Sequence, residues 1–440
     1  DRSKRPSASA LHRAGTRIGA GITTVPPAPL VDPEAQLMTD PVVPEDRRFC
    51  PHCGEPVGRS LEGRPGRLQG FCPTCQTAYN FSPSIRPGEL VAGQYEVAGA
   101  LAYGGMGWIY LARDKNVSDR WVVLKGLLNA GDTDAKMAAL SEQEFMAQVE
   151  HPLIVEIYNF VTAADGARYI VMEYVPGVSL KQILKQRRAT NGGAHDPLPV
   201  DWALAYIIEV LPAFSYLHER GLLYCDFKPD NVMQVGDSVK LIDLGGVRHQ
   251  SDESSPMYGT IGFQAPELAA RGASVPSDLY TIGRTLLVLC TEFRGYQGEY
   301  ATSLPPLSYF PEIAGQDSLY RLVQRCCAPN PDDRFQSVEE LRQQALGVLR
   351  EVVGAKTPGA AYTSGPSALF EPPTQTGDTF HWTQLPQLRP DPADPMHDWL
   401  NRLTATAPAE RLALLQRAPE QSAEVLLEQV RVVIEGGDRA

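Results

Sequence analysis

Four cysteines in two CxxC pairs, FCPHCG at 49–54 and GFCPTC at 70–75, set the tightest limit on how the first part of this chain can fold. Residues 46–82 hold these pairs and little else that is apolar. A unit of that size has too small a core to stand without a staple. Each CPxC turn aims two thiolates at one point, and two turns complete a tetrahedron. Eighteen residues separate the pairs, a spacing that suits a four-cysteine metal site. The expected ligands are Cys50, Cys53, Cys72 and Cys75. Zinc would make a closed structural site, whereas iron in the same geometry could change redox state. His52 lies between two ligands, and four cysteines leave it no vacant position. The other cysteines, Cys225, Cys290, Cys326 and Cys327, are scattered. That is a poor disulfide framework, and it fits a reducing, cytoplasmic setting.

The remaining organisation follows from composition and period. Residues 1–45 are rich in Pro, Ala, Gly and Thr without sustained periodicity, and read as a mostly disordered tail with a basic start. The chain begins at Asp, as a fragment or processed chain would. Residues 95–350 form the large domain. Its first part, to about 175, carries short β-branched and aromatic runs (YEVAGALA, WIYLARD, WVVLKGLL, EIYNFV, YIVMEYV) around one helical segment near 133–149. From about 176 to 350 the period becomes helical, over 201–220, 277–291 and 336–350. A strand-rich lobe followed by a helix-rich lobe implies a cleft between them. Residues 351–396 are a Pro-rich linker, and 397–440 recover helical periodicity up to a stop at Gly436-Gly437, like a helix-turn-helix repeat cut after its first half. The net charge of −12 argues against nucleic-acid binding. No apolar run approaches the ~20 residues that span a bilayer.

Chemistry concentrates in the large domain. AYGGMGWIYLA at 102–112 is a glycine-rich turn between strands, where backbone N–H groups can approach phosphate. Alone it is also an ordinary tight hairpin. VVLK places Lys125 inside the next apolar strand, where a buried ammonium needs an anionic partner. Glu142 on the following helix is the candidate carboxylate, with Glu144 as its rival. YCDFKPDN at 224–231 and LIDLGG at 241–246 supply the rest. Asp226 could orient a hydroxyl and accept its proton, and Lys228 could neutralise charge on a phosphoryl group in flight. Asn231 and Asp243 are oxygen ligands suited to Mg²⁺. Phosphoryl transfer is mostly positioning and electrostatics, so this small set is nearly a complete apparatus.

With those motifs in this order, residues 95–350 resemble a eukaryotic-type protein kinase domain, which implies an α+β, two-lobed fold binding ATP with Mg²⁺ or Mn²⁺. The resemblance puts the nucleotide among Ala102, Gly104, Gly105, Gly107, Ile109, Lys125 and Glu142. It makes Met172 the gatekeeper and Glu173 to Val175 the hinge. Glu267 of GTIGFQAPE would pair with Arg334 of NPDDRF, and Asp278 would hold the catalytic-loop backbone. Lys228 and Thr260 follow the serine/threonine pattern. Three departures stand out: Ala102 for the first loop glycine, DLG for DFG, and YCD for HRD, which puts Cys225 where an arginine usually binds an activation-loop phosphate. Activity is therefore expected not to depend on phosphorylation of Ser251, Ser254, Ser255 or Tyr258. Cys225 itself reads as a small buried residue rather than a redox sensor.

The whole order, cysteine knuckles, a kinase with YxD in its catalytic loop, then helical repeats, resembles the actinobacterial protein kinase G family. LMTDPVVPEDRRFCPHCGEPVGRS at 37–60 and PGELVAGQYEV at 87–97 extend the likeness. It implies a rubredoxin-like domain that controls the kinase and a tetratricopeptide-repeat domain, mostly missing here, through which the family dimerises. It also implies autophosphorylation of N-terminal threonines, with Thr16, Thr23 and Thr24 as candidates. Those phosphothreonines would recruit a forkhead-associated regulator of glutamate and 2-oxoglutarate metabolism. Gln76 stands where the first knuckle has Gly54 and would strain the second turn. A pseudokinase scaffold with a structural zinc knuckle is the alternative; retained Lys125, Asp226, Asn231 and Asp243 oppose it. A free-standing electron carrier lacks any second cofactor site.

Overall fold

In the computed structural model the described residues are 16–29, 31–61, 63–104, 107–127, 148–164, 166–236, 238–252, 259–356, 370–371, 387–404 and 407–436. The helical segment expected near 133–149, with Glu142 and Glu144, lies largely outside them, as do Gly105, Ser254, Ser255 and Tyr258.

The alternating runs after residue 90 build one antiparallel sheet. Its strands are β5 (Leu90–Val91), β6 (Tyr95–Gly104), β7 (Gly107–Asp114), β8 (Arg120–Leu127), β9 (Ile157–Thr162) and β10 (Arg168–Glu173), in the order β5-β6-β7-β8-β10-β9. Side chains opposite each other across a ladder share a face. Ala102 opposes Ile109, Ile109 opposes Lys125, and Lys125 opposes Ile170. That row, with Met172 two residues on, is one face. Tyr103 opposes Trp108, Tyr110 opposes Leu124, and Tyr169 lies opposite Gly126 beside Val171. These aromatic and aliphatic side chains form the other face; Trp108, Tyr110, Leu124, Tyr169 and Val171 are buried with Val43, Cys50, Cys72, Phe81 and Ile85 in one cluster, and half-buried Tyr103 packs against it. The cysteine unit and the sheet thus share a core.

Several boundaries differ from expectation. Residues 16–29 and 31–45 are ordered rather than part of a disordered tail. Thr16–Ile18 (β1) and Thr23–Val25 (β2) pair as a hairpin, with Ile18 and Val25 buried in the core of the helical lobe. Gly19 has φ +65 and lies so close to Leu349 and Ala205 that a Cβ there would meet them at 2.7 and 2.9 Å. The backbone N–H of Gly19 donates to Glu209 (2.8 Å), and the Thr23 hydroxyl donates to Asp201 (2.9 Å). Downstream, Gln234 donates to the Pro26 carbonyl, Glu34 pairs with Arg113 (2.7 Å), and the N–H of Met38 donates to Ala100 (2.9 Å). Residues 19–38 therefore run from the helical lobe to the strand lobe. The cysteine unit begins before residue 46, because Val43 is buried in its core and Glu45 accepts from Ser60 and Gly66. Residues 83–94, which their sequence marks as a short linker between the cysteine unit and the strand lobe, also pack: Ile85 and Val91 are core, and Ser84 hydrogen-bonds Tyr110 and Tyr169.

The second lobe is built on α1 (Leu180–Thr190), α2 (Val200–Glu219), α3 (Leu268–Arg271), α4 (Val275–Cys290), α5 (Asp317–Cys326) and α6 (Val338–Lys356). Helix α2 is long and apolar enough to span a bilayer, against the sequence expectation, but it is mostly buried as the central helix of this lobe. Helix α6 continues to Lys356, past the expected boundary at 350, because Val352 and Val353 are buried and Lys356 reaches Asp201 (2.5 Å). The chain divides into two compact units, 1–360 and 361–440. In the second, α7 (His397–Asn401), α8 (Pro408–Leu415) and α9 (Ala423–Glu435) enclose Met396, Leu415, Val425 and Val432, and α9 ends at Gly436.

Candidate active site

The catalytic-loop motif follows β12 (Leu222–Leu223), a two-residue strand paired with β15 (Arg248–His249). Tyr224 fills the core beside Phe214 and Phe227. The next residue, Cys225, turns left-handed at φ +65, a conformation unfavourable for a residue with a Cβ. Asp278, fully buried in α4, holds the turn: its two oxygens accept the N–H groups of Tyr224 and Cys225 at 2.8 Å each. His218 of α2 sits 2.9 Å from the same carboxylate, a partner not expected from the sequence. Burial pushes the Cys225 thiol well above its ordinary range, which suits an inert packing residue.

This turn presents Asp226, whose carboxylate accepts from Thr260 (2.7 Å) and Lys228 (2.5 Å). Lys228 also donates to the Thr260 hydroxyl (2.6 Å). Asn231 sits at the end of the short 3-10 turn Pro229–Asn231, and its amide donates to the Asp226 carbonyl (2.8 Å). The hairpin β13 (Val232–Val235) and β14 (Ser238–Leu241), with β11 (Val178–Ser179) paired along β13, then carries the chain to Asp243. Gly246 closes the gap between the two motifs: a Cβ there would lie 3.1 Å from both Asp226 Cβ and the Tyr224 carbonyl. That close approach favours glycine at the second position of the pair in LIDLGG.

Lys125 reaches from β8 across the cleft to pair with Asp243, which also accepts the Gly245 N–H (2.8 Å). Burial works against charge on Asp243, but the Lys125 ammonium holds its carboxyl below the usual carboxylate range. Met172 is buried at the end of β10, and Val175 is buried beyond it. The Glu173 carboxylate turns to Lys240 of β14, with Nζ 2.6 and 2.5 Å from its two oxygens. The sequence signal for Lys240 is a lysine in a strand that alternates with buried Val239 and Leu241. Ala102, Gly104, Gly107 and Ile109 line the end of the β6–β7 hairpin above this face, with Gly107 at φ +115.

Below the site, Arg334 is fully buried and grips Glu267 through two parallel bonds, 2.6 and 2.7 Å. It also donates to the Ala328 carbonyl (2.8 Å). Arg248 pairs with Asp252 (3.3 Å), four residues on. Ser251 lies 2.6 Å from the His249 ring. Of the three threonines singled out, Thr23 is buried and hydrogen-bonded, Thr24 is exposed, and Thr16 lies in β1.

The cysteine unit brings four sulfurs within 4.8 Å of one another. Cys50 and Cys75 are 3.5 Å apart, and Cys53 and Cys72 are 3.6 Å apart. A tetrahedral ion with bonds of about 2.3 Å spaces its sulfurs about 3.8 Å apart, so the donor set fits a zinc or iron ion. The two knuckles repeat one geometry: Gly54 N–H donates to the Cys50 carbonyl, Gln76 N–H donates to the Cys72 carbonyl, and both residues are left-handed, at φ +71 and +61. Gln76 adopts the strained conformation expected of it. The Thr77 hydroxyl and N–H bring the Cys75 thiol down to about 6, toward the thiolate a metal requires.

A two-lobed fold whose cleft gathers a strand lysine, a catalytic-loop aspartate and two metal-suited oxygen ligands defines a protein kinase domain. The family model of that domain matches residues 95–346. The chain belongs to the protein kinase family, and the protein kinase G rubredoxin domain matches residues 12–85. The serine/threonine-protein kinase PknG of Mycobacterium leprae is 46% identical over 82% of this chain and 47% of its own length. PknG of Mycolicibacterium smegmatis is 46% identical over 82% of this chain and 46% of its own. The chain thus spans about half the length of these relatives. The kinase domain of PknI from Mycobacterium tuberculosis, a crystal structure, aligns with 29% identity over 60% of this chain and 100% of that one, at a TM-score of 0.49.

Proposed function

We propose that this chain transfers the γ-phosphoryl group of ATP to serine or threonine hydroxyls of proteins. The observation that carries the reading is the Asp226–Lys228–Thr260 cluster, set against Asn231 and Gly246 within hydrogen-bonding or van der Waals reach. Asp226 orients the acceptor hydroxyl and takes its proton. Lys228, anchored by Thr260, faces the negative charge that develops on the transferring group. Lys125 binds the phosphates, and its pairing with Asp243 shows how short the reach across the cleft is. Asn231 and Asp243 would hold Mg²⁺, which supplies charge neutralisation on the phosphates. Gly104 and Gly107, paired at the end of the β6–β7 hairpin, would approach them. The backbone around Glu173 and Val175 is the adenine contact.

The cysteine unit acts on this reaction as a redox-sensitive control element, because it shares a core with the sheet that closes over ATP. Autophosphorylation of the first residues and recruitment of a forkhead-associated regulator of glutamate metabolism extend the proposal. Among the candidates the exposed Thr24 is the better acceptor, since Thr23 is engaged by Asp201. Action in the cytoplasm and dimerisation through further repeats complete it. The deciding experiment is radiolabelled ATP with the native chain, Lys125→Met, and a Cys72→Ser/Cys75→Ser form. Label in the native chain and none in Lys125→Met is expected. No label in the native chain favours the scaffold alternative, and label unchanged by the cysteine replacements removes the control element.

A further inference from the structure

We propose that Phe81, the residue that leads out of the cysteine unit, is a positioning residue for the phosphate-binding turn. The proposal rests on the kinase reading above and names where the cysteine unit exerts its control. Phe81 follows β4 (Ala78–Asn80) directly, and β4 pairs with β3 (Gln69–Phe71), which runs straight into the ligand Cys72. Its N–H donates to the Leu68 carbonyl (2.8 Å), so its backbone is tied to the hairpin that carries the ligand. Its ring is 5.4 Å from Tyr79 on the cysteine side. On the other side it meets Tyr103 edge-on, with centroids 6.4 Å apart at 75°. Tyr103 stacks edge-on with Trp108 at 5.2 Å. Tyr103 and Trp108 are cross-strand partners, and the next pair outward is Gly104 with Gly107.

The physical consequence is specific. A glycine turn has many backbone states, and it binds phosphate well only if few of them are populated. Here the last cross-strand pair before the turn is aromatic, and Phe81 closes it from outside. Phe81 is 3% exposed, and Trp108 is 6% exposed. Loss of the metal loosens the β3–β4 hairpin, withdraws Phe81 and frees the Tyr103–Trp108 pair. The turn then pays more entropy to bind ATP. The control acts on nucleotide affinity, through a packing contact, without any group crossing the cleft.

The test measures affinity for a fluorescent ATP analogue by titration, alongside metal content by mass spectrometry and labelled-phosphate turnover. Phe81→Ala is expected to keep its metal and weaken nucleotide binding about two- to ten-fold, the size of an aromatic edge contact. KM for ATP should rise in parallel while kcat stays near the native value. Phe81→Tyr should restore affinity. Metal removal should weaken binding in the native chain and add little in Phe81→Ala. If Phe81→Ala loses its metal, Tyr103→Ala, which lies outside the cysteine unit, carries the same expectation. Native affinity in both variants with metal retained would overturn the proposal, as would an undiminished effect of metal removal in Phe81→Ala. Tight analogue binding with no phosphate transfer would sink the kinase reading while leaving this contact testable. No analogue binding by the native chain would sink both.

Discussion

Ile18→Ala probes whether the amino-terminal hairpin is docked and how much that docking is worth. Ile18 is 2% exposed within the helical-lobe core, next to the close contact of Gly19 with Leu349 and Ala205. Removing its outer carbons loses the transfer free energy and leaves a hole. Substitutions of this kind cost about 2–5 kcal/mol. The hairpin has its own cross-strand pairing, so it can leave the lobe without unfolding it. The cost then appears as local opening, increased by about 30-fold to several thousand-fold at 1.4 kcal/mol per decade. Native-state hydrogen exchange read by mass spectrometry resolves this. The amides of Gly19 and Ala20, which donate to Glu209, and of Ile22, which donates to Gly19, should exchange faster by that factor. Amides within α2, such as that of Leu211, should not change. Unprotected hairpin amides in the native chain would refute docking. Equal acceleration throughout α2 would refute the claim that the hairpin opens as its own unit.

Three further outcomes are expected. Gly246→Ala forces a methyl against Asp226 and the Tyr224 carbonyl; kcat should fall at least tenfold, with nucleotide affinity little changed in a direct titration. Arg334→Ala strands the Glu267 carboxylate and should lower unfolding free energy by about 3–5 kcal/mol in urea melts. In metal-stripped protein at pH 8, iodoacetamide should label the partly exposed Cys75, whose thiol the Thr77 bonds bring down to about 6, well before Cys290 or Cys327, as mapped by peptide mass spectrometry. Burial holds those last two thiols at about 12, so their reactive thiolates form only as pH rises toward that value, and labelling at pH 8 would contradict their burial.

Local chemistry was legible where the residues that need one another lie close in sequence. Asp226, Lys228 and Asn231 fall within six residues, and the two knuckles announce themselves by spacing alone. The strands of the first lobe were readable because a half-buried sheet imposes a period of two. The hairpin at 16–25 was not, because three-residue strands such as TRI and TTV carry no periodic signal. What orders it is a lobe far along the chain: Thr23 and Asp201 are 178 positions apart. The same holds for Ile85, whose setting among Pro and Gly reads as a linker until the sheet beneath it is in view. Lys125 showed that it needed an anion, but that Asp243 supplies one depends on the closure of a cleft, which no local pattern encodes.

Asp201 at the start of α2 joins the beginning of the folded core to its end. One of its oxygens takes the Thr23 hydroxyl and the other takes the ammonium of Lys356, the last residue of α6. Entry and exit of a core of more than three hundred residues are therefore knotted at a single carboxylate. Mechanically, tension between whatever is attached upstream of the hairpin and whatever follows α6 closes its circuit through α2. The load does not cross the hinge, so appended segments can be pulled, captured or exchanged without prying the two lobes apart.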